Sequence, residues 1–262
     1  MSFSLVEGLK CTRCGHEIAP EYLLECPKCN GLLDLFYALK DGIAIKDDSY
    51  QGMWKYHRVL PIKREEDVVT LGEGYTPLIK ASSLAKSIGI RELWIKYEGS
   101  NPTGTVKDRT SSTAVSSARQ FGFQSISVVS TGNAGVSIAT YAKRGGLKSA
   151  IFCYERGDPI KMHHMGLMAT HLLTYQGEYD DVIENFDRVM DTKISFDGGA
   201  RRNPYKHEGK KTISYEIIDQ IGRPPDYFFV QTSGCEIFIS SYRGFQEIIS
   251  MGKIDKMPTL VC

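Results

Sequence analysis

Lys107 closes the run Asn101-Pro102-Thr103-Gly104-Thr105-Val106 and is followed at once by Asp108-Arg109. An apolar stretch, Leu93-Trp94-Ile95 then Lys96-Tyr97-Glu98, precedes it, and a Ser/Ala-rich stretch from Thr110 to Gln120 follows. The first reads as a strand and the second as a helix, which puts the lysine at the mouth of a strand–loop–helix unit. An amine in so partly desolvated a place can be neutral enough to attack an aldehyde and form a Schiff base. The competing reading is a solvated lysine at a helix start, the common fate of lysines. Three other segments weigh against it.

Ser130-Thr131-Gly132-Asn133-Ala134-Gly135 follows the strand-like Ser125–Val129 and opens a helical run. Small residues let backbone approach a ligand, and a helix N-terminus offers free N–H groups to an anion such as a carboxylate. A plain glycine-rich turn is the alternative. Asn203-Pro204-Tyr205-Lys206 leads into Glu208-Gly209-Lys210-Lys211-Thr212, within a basic cluster that also holds Arg201 and Arg202. By its residue types alone such a cluster reads as solvated surface; a ligand role for it comes only from the resemblance described below. The third segment, Gln231-Thr232-Ser233-Gly234-Cys235-Glu236, links a strand ending at Val230 to a further helix. Its hydroxyls and glycine suit an anion cradle. Glu236 opposes one unless it points away.

Cys11-x-x-Cys14 and Cys26-x-x-Cys29 form two knuckles. Four thiolates at tetrahedral reach suit zinc, and a set closed by four protein ligands is structural rather than catalytic. Such a metal is expected to stabilise only the N-terminal ribbon. Two disulfides, or a fold without metal, are the alternatives. His16 is surplus to the set and is expected to be exposed. Cys153, Cys235 and Cys262 stand alone and read as buried small apolar residues.

The elements that must carry these residues alternate. Helices are expected at Ser82–Ile88 and at about 106–121, 134–144, 160–169, 178–191, 208–221 and 235–251. Strands are expected at Leu93–Tyr97, Ser125–Val129, Ala150–Tyr154, His171–Tyr175 and Tyr227–Val230, with another opening at Thr259. This alternation argues for an α/β architecture with largely parallel sheets. The 262 residues suffice for one large or two medium domains. A net charge of +1 gives no electrostatic reason to expect nucleic acid or an anionic membrane as partner. No apolar run is long enough to span a bilayer. Seven cysteines, four of them in a metal-type pattern, fit a reducing, cytoplasmic setting.

The Lys107 stretch resembles the cofactor-lysine motif of pyridoxal-phosphate enzymes of the tryptophan-synthase-β type. It is closer still to threonine synthases, worded Asn-Pro-Thr-Gly-Ser-Phe-Lys-Asp-Arg, with Thr105-Val106 in place of Ser-Phe. Asn203–Thr212 is similar to the same family's Asn-Pro-Tyr-Arg and Leu-Glu-Gly-Gln-Lys-Thr. The resemblance implies a fold-type-II α/β enzyme: a zinc-ribbon-like segment over 1–40, then a catalytic region over 41–262 made of two interleaved subdomains. It implies a lyase of threonine biosynthesis that turns O-phospho-L-homoserine and water into L-threonine and phosphate. Lys107 would hold pyridoxal phosphate as an imine and move protons. Asn133 would orient the ring, and Thr232, Ser233, Gly234 and Cys235 would cradle the cofactor phosphate. Ser130 and Thr131 would face the substrate, and Lys206, with Asn203, would take its phosphate. Lysine in place of arginine there keeps the charge but loses the bidentate fork.

Sister reactions stay open, among them cysteate synthase and ammonia-lyases, as does a non-catalytic relative acting as a zinc-ribbon module. The implied partner is a small phosphorylated amino acid, with a homodimer possible. Pro258–Cys262 reads as a core strand just begun, and the resemblance implies a longer chain. The expectation is therefore a C-terminally truncated protein that binds the cofactor weakly, turns over no substrate and associates through its open edge. A natural terminus on an edge strand is the alternative.

Overall fold

A computed structural model of the chain describes residues 3–199, 202–232 and 234–262. At the N-terminus, β1 (Val6–Cys11) pairs antiparallel with β2 (Glu17–Ile18) and β3 (Leu33–Tyr37), in the order β2-β1-β3. Leu32, Leu33, Leu35 and Phe36 read as a strand from their residue types, and β3 falls there; β1 and β2 were not expected. The aromatic run that follows is a 3-10 helix, Gly52–Val59, whose Met53, Trp54, Tyr56 and Val59 are buried. Next come β4 (Leu78–Lys80), α1 (Ser82–Ser87) and β5 (Trp94–Lys96). β4 and β5 pair antiparallel as a separate two-stranded sheet.

The strand before Lys107 is thus not part of the parallel alternation. Ile79 and Ile95, paired across this hairpin, are both exposed. The run Leu93–Tyr97 has the residue types of a strand, but its sequence carries no record of its partner.

The centre of the fold is built from α2 (Lys107–Gln120), β6 (Ser125–Val129), α3 (Asn133–Gly145), β7 (Lys148–Tyr154), α4 (Pro159–Met168), β8 (His171–Tyr175), α5 (Tyr179–Val189) and β9 (Phe196–Asp197). Its four strands form one parallel sheet in the order β8-β7-β6-β9. α6 (Pro204–Ile221), β10 (Tyr227–Phe229), α7 (Glu236–Ser250) and β11 (Thr259–Val261) complete the chain, with β10 and β11 parallel in a sheet of their own.

The Ser/Ala-rich composition of α2 follows from its position. Every residue from Asp108 to Ala118 is buried, so no face is left for long polar side chains. Small hydroxyls close bonds locally or onto neighbours: Ser112 Oγ donates to Val69 O at 2.7 Å, and Ser116 Oγ accepts from Val69 N at 2.8 Å. Gly209 of α6 lies against α2 so closely that a Cβ there would stand 2.0 Å from Arg109 O.

α6 begins four residues before the expected 208. Asn203 caps it, its side chain accepting from Tyr205 N at 3.0 Å, and Pro204 takes the first turn, where no N–H is needed. Lys206 and Lys210 therefore lie one helical turn apart on the same face.

The ribbon is not an isolated appendage. Leu9, Cys11, Cys26 and Leu33 share a hydrophobic core with residues of α2 and α3. Tyr22 stacks on Phe196 with ring centroids 4.7 Å apart and accepts the Asp197 N–H at 2.9 Å. Cys11 and Cys26 are thus packed into the main core and not confined to the ribbon. Two of the lone cysteines also differ from expectation: Cys153 is buried, but Cys235 and Cys262 are exposed, and His16 is half-buried rather than exposed. Among the described residues, no helix is long and apolar enough to cross a membrane.

Candidate active site

The residues flanking Lys107 fix its position. Asn101 accepts the Gly74 N–H at 2.9 Å and donates to Glu98 O and Oε2 at 2.8 and 2.9 Å. Gly104 turns the chain with φ of 74°, a left-handed conformation that favours glycine. Thr103 N donates to Asp108 Oδ2 at 2.6 Å, and Ser137 Oγ of α3 donates to Asp108 Oδ1 at 2.6 Å. Burial raises the Asp108 carboxyl above its usual range, against these hydrogen bonds, which lower it. Arg109, fully buried, forks onto Glu98 at 2.7 and 2.8 Å and onto Glu216 of α6. Asp108 and Arg109 thus clamp the first turn of α2, and Lys107 is left half-buried, with its amine in a cleft.

That cleft is a cavity of about 190 Å³ at the C-terminal end of β6, with Lys107, Ser130, Ala134, Asp197, Lys206 and Glu236 among its lining. This is where ligands bind in open parallel sheets. Ser130 shapes the turn into α3 by accepting the N–H groups of Gly132 and Gly135 at 3.2 and 3.0 Å. Thr131 is half-buried and Asn133, at the first position of α3, is exposed; neither lines the cavity. Asn203 is fully buried, and its amide is committed to the chain: Nδ2 donates to Asp197 O at 2.5 Å and Oδ1 caps α6. Thr232, Gly234 and Cys235 are exposed and do not line the cavity, and Ser233 lies outside the described residues.

The unexpected feature is the charge cluster. Glu236, the first residue of α7, points inward and meets Lys107 Nζ at 3.3 Å. Lys210 Nζ donates to the same oxygen, Oε2. Lys206 is 3% exposed and Lys210 0%. Burial pushes the Lys206 amine down to about 8; Glu236 counters the shift and the charge of Lys107 adds to it. Burial likewise pushes Lys210 down to about 7, against the pull of Glu236. Burial alone would raise Glu236, but Lys210, Lys206 and Lys107 outweigh it and hold the carboxyl far below the usual range. We therefore take Glu236 as ionised at neutral pH, with at least one lysine charged beside it.

Neither Lys210, which is buried against Glu236, nor Asp197, which lines the cavity, was singled out from sequence. The i, i+4 spacing of Lys206 and Lys210 carried the signal for the first, once the helix is started at Pro204. Nothing in the sequence marked Asp197, which sits on a two-residue strand.

In the N-terminal ribbon, the four sulfurs of Cys11, Cys14, Cys26 and Cys29 all lie within 4.8 Å of one another. The Sγ pairs Cys11–Cys29 and Cys14–Cys26 are 3.5 and 3.7 Å apart, well beyond a disulfide bond of about 2.05 Å. The N–H of Cys14 and, against some desolvation, that of Arg13 lower the Cys11 thiol to about 6, favouring the thiolate.

The sequence profile of the family described as pyridoxal-phosphate dependent enzyme matches residues 69–261. The chain is 31% identical over 261 residues to a threonine synthase of Methanocaldococcus jannaschii, covering 96% of this chain and 64% of that protein. It is 34% identical to a threonine synthase of Methanosarcina acetivorans, covering 96% and 63%. It thus spans under two thirds of the length of these curated relatives. The fold is similar to that of maize serine racemase, with a TM-score of 0.61 at 19% identity over 69% of this chain and 54% of that one. With Lys107 presented in the cleft and the family's sequence pattern running from residue 69 to 261, this chain belongs to the family of pyridoxal-phosphate-dependent enzymes.

Proposed function

We propose that the chain carries the cofactor lysine and the phosphate-binding wall of a threonine-synthase-type lyase, which converts O-phospho-L-homoserine and water into L-threonine and phosphate. The observation that carries this reading is the convergence of the Lys107 amine with the buried amine of Lys206 in one cleft, with Lys210 buried behind Glu236 and paired to its carboxylate. A phosphorylated amino acid handled through an aldehyde cofactor needs both features. The relatives bearing that name, which align with 96% of the chain, support it.

Pyridoxal phosphate joins an aldehyde to a phosphate. Lys107 suits the aldehyde, and the α3 and α7 N-termini with the lysine wall suit anions. Two carboxylates in the lining, Glu236 and Asp197, oppose the fit. When bound, the cofactor supplies an electron sink for a carbanion beside the substrate nitrogen. Lys107 Nζ then takes and returns protons at the α and β carbons, a task suited to an amine in a partly desolvated cleft. Lys206 and Lys210 hold the substrate phosphate and stabilise it as it leaves. Ser130 and Thr131 border the substrate, and Asn133, beside Ala134 at the rim, orients the ring. Thr232 to Cys235 serve the cofactor phosphate through the start of α7. Asn203 acts by fixing the first turn of α6, and so Lys206, rather than by touching the ligand.

The cysteine quartet is read as a closed structural zinc site, and the chain as a protein of a reducing, cytoplasmic compartment. The test of the functional reading is borohydride reduction in excess pyridoxal phosphate, followed by peptide mapping. The label is expected on Lys107, and Lys107→Ala is expected to lose both label and visible band. Label on another lysine overturns the assignment. Turnover assays with phosphohomoserine, phosphoserine and unphosphorylated amino acids, compared side by side, separate threonine synthase from its sister enzymes.

A further inference from the structure

We propose that Lys107, Lys206 and Lys210 form a single anion site and that Glu236 is its resident counter-anion, which a phosphate-bearing ligand must displace to bind. The inference rests on the reading of this cleft as one for a phosphate-bearing ligand, and adds what now fills it.

The three amines come from two helices, α2 and α6, and converge on one carboxylate oxygen region. One carboxylate faces three amines, two of them on side chains almost wholly removed from solvent, and cannot neutralise them all when they are protonated. Asp197, near Lys206, offsets part of the remainder. A phosphate monoester offers two charges and three oxygens, a better match to three donors than two carboxylate oxygens. A buried charge left without a full partner is costly, so the site favours a second anion or a stronger one.

Glu236 is also placed to leave. It follows Cys235, a non-glycine residue with φ of 55°, in the sparsely populated left-handed region. Thr232, Gly234 and Cys235 beside it are exposed, and on α7 the first buried side chain is Ser240. Turning the first residue of α7 outward therefore unpacks no core. Its carboxylate would exchange lysine partners for water while keeping a favourable place at a helix N-terminus.

A site closed by its own carboxylate binds ligand with an affinity reduced by the fraction of time it stands open. Removing that carboxylate should raise the affinity for a phosphate-bearing ligand more than for its phosphate-free counterpart. Calorimetric titration of the 262-residue chain with inorganic phosphate, pyridoxal phosphate and pyridoxal is the test. Glu236→Gln should bind inorganic phosphate about tenfold tighter or more, and should gain more affinity for pyridoxal phosphate than for pyridoxal, which meets only Lys107. Adding Lys210→Gln should abolish the gain. If Glu236→Gln does not fold, Glu236→Ala is used instead. Phosphate affinity that is unchanged or lower in the folded variant overturns the proposal, as does a gain that survives Lys210→Gln. Borohydride labelling reports separately: loss of label at Lys107 in parent and variant alike would sink the cofactor-lysine reading, whereas phosphate titration alone judges the counter-anion.

Discussion

Arg109 of α2 and Glu216 of α6 face each other with both side chains wholly buried, and this pair joins the helix that begins at Lys107 to the helix that carries Lys206 and Lys210. Lys96 adds a second cation to Glu216 at 2.7 Å, and Glu98 a second anion to Arg109. The relative placement of Lys107, Lys206 and Lys210 is therefore set by buried ion pairs whose members are not among the residues lining the cleft.

Breaking that pair should be severe. Arg109→Ala leaves Glu98 and Glu216 with a shared deficit of positive charge in a buried place. The expected loss, from urea unfolding, is about 3–5 kcal/mol. Arg109→Lys should recover only part of it, because an ammonium cannot fork onto two carboxylates. A loss under about 1 kcal/mol, the range of an exposed pair, would show that the network is not a structural clamp.

A glycine tests the same interface through shape. Gly209→Ala would set a methyl 2.0 Å from the Arg109 carbonyl, and backbone cannot step aside cheaply. We expect destabilisation of about 1–3 kcal/mol or more. Gly166→Ala in α4 is the contrast: it is exposed, and its Cβ would meet only Leu172, at 3.8 Å. It should stabilise by about 0.5–1 kcal/mol through helix propensity. Equal effects of the two changes would contradict the close approach of α2 and α6.

Much of this architecture could be read from sequence, and the exceptions have physical causes. Ser125–Val129 and His171–Tyr175 were located to the residue, because short runs rich in β-branched, apolar and aromatic residues and bounded by turns leave little freedom. β1, with its two glycine-broken halves, and the two-residue β2 and β9 carry no such run. Lys107 was legible because a motif surrounds it. The direction of Glu236 was not, since it depends on a left-handed Cys235 and on lysines 26 and 30 residues upstream, which only the packing of α6 on α7 brings into range. Asn203 was legible as important, but as a ligand group rather than the helix cap it is; the Asn-Pro pair is an ordinary cap signal that the ligand reading overshadowed.

The lysine cluster fixes a pH dependence. Lys206 and Lys210 titrate near 8 and 7 in the fold, below the ordinary lysine range near 10.5. The unfolded chain thus binds more protons between those limits, and stability should rise with pH from about 7 towards 10. Phosphate affinity should move the other way, falling as the two amines lose their protons. Around them stand Lys107 from α2, Glu236 from α7, Asp197 from β9 and Tyr179 from α5. Urea midpoints and phosphate titrations across this range check both signs. Phosphate affinity that stays flat to pH 9 would mean the two lysines remain charged.

The last prediction links the ribbon to the cleft. If the quartet holds zinc, elemental analysis should find about one ion per chain, and a chelator combined with a thiol reagent should remove it. Cys11 and Cys26 belong to the core that also contains Phe196 and Tyr205. Tyr22 accepts the Asp197 N–H, and Tyr205 Oη donates to Glu21 O at 2.7 Å. Both bonds run from the ribbon to the segment that presents Lys206. Loss of the metal should therefore loosen β9 and the first turn of α6, not the ribbon alone. Hydrogen exchange should speed up at the amide of Asp197, whose acceptor is the ribbon's Tyr22, and phosphate affinity should fall with it. The amides of α4, which has no such bond to the ribbon, should keep their protection as the internal standard. A ribbon that opens while the Asp197 amide and phosphate affinity stay unchanged would refute the coupling. A folded chain with no metal and four freely reactive thiols would refute the zinc site itself.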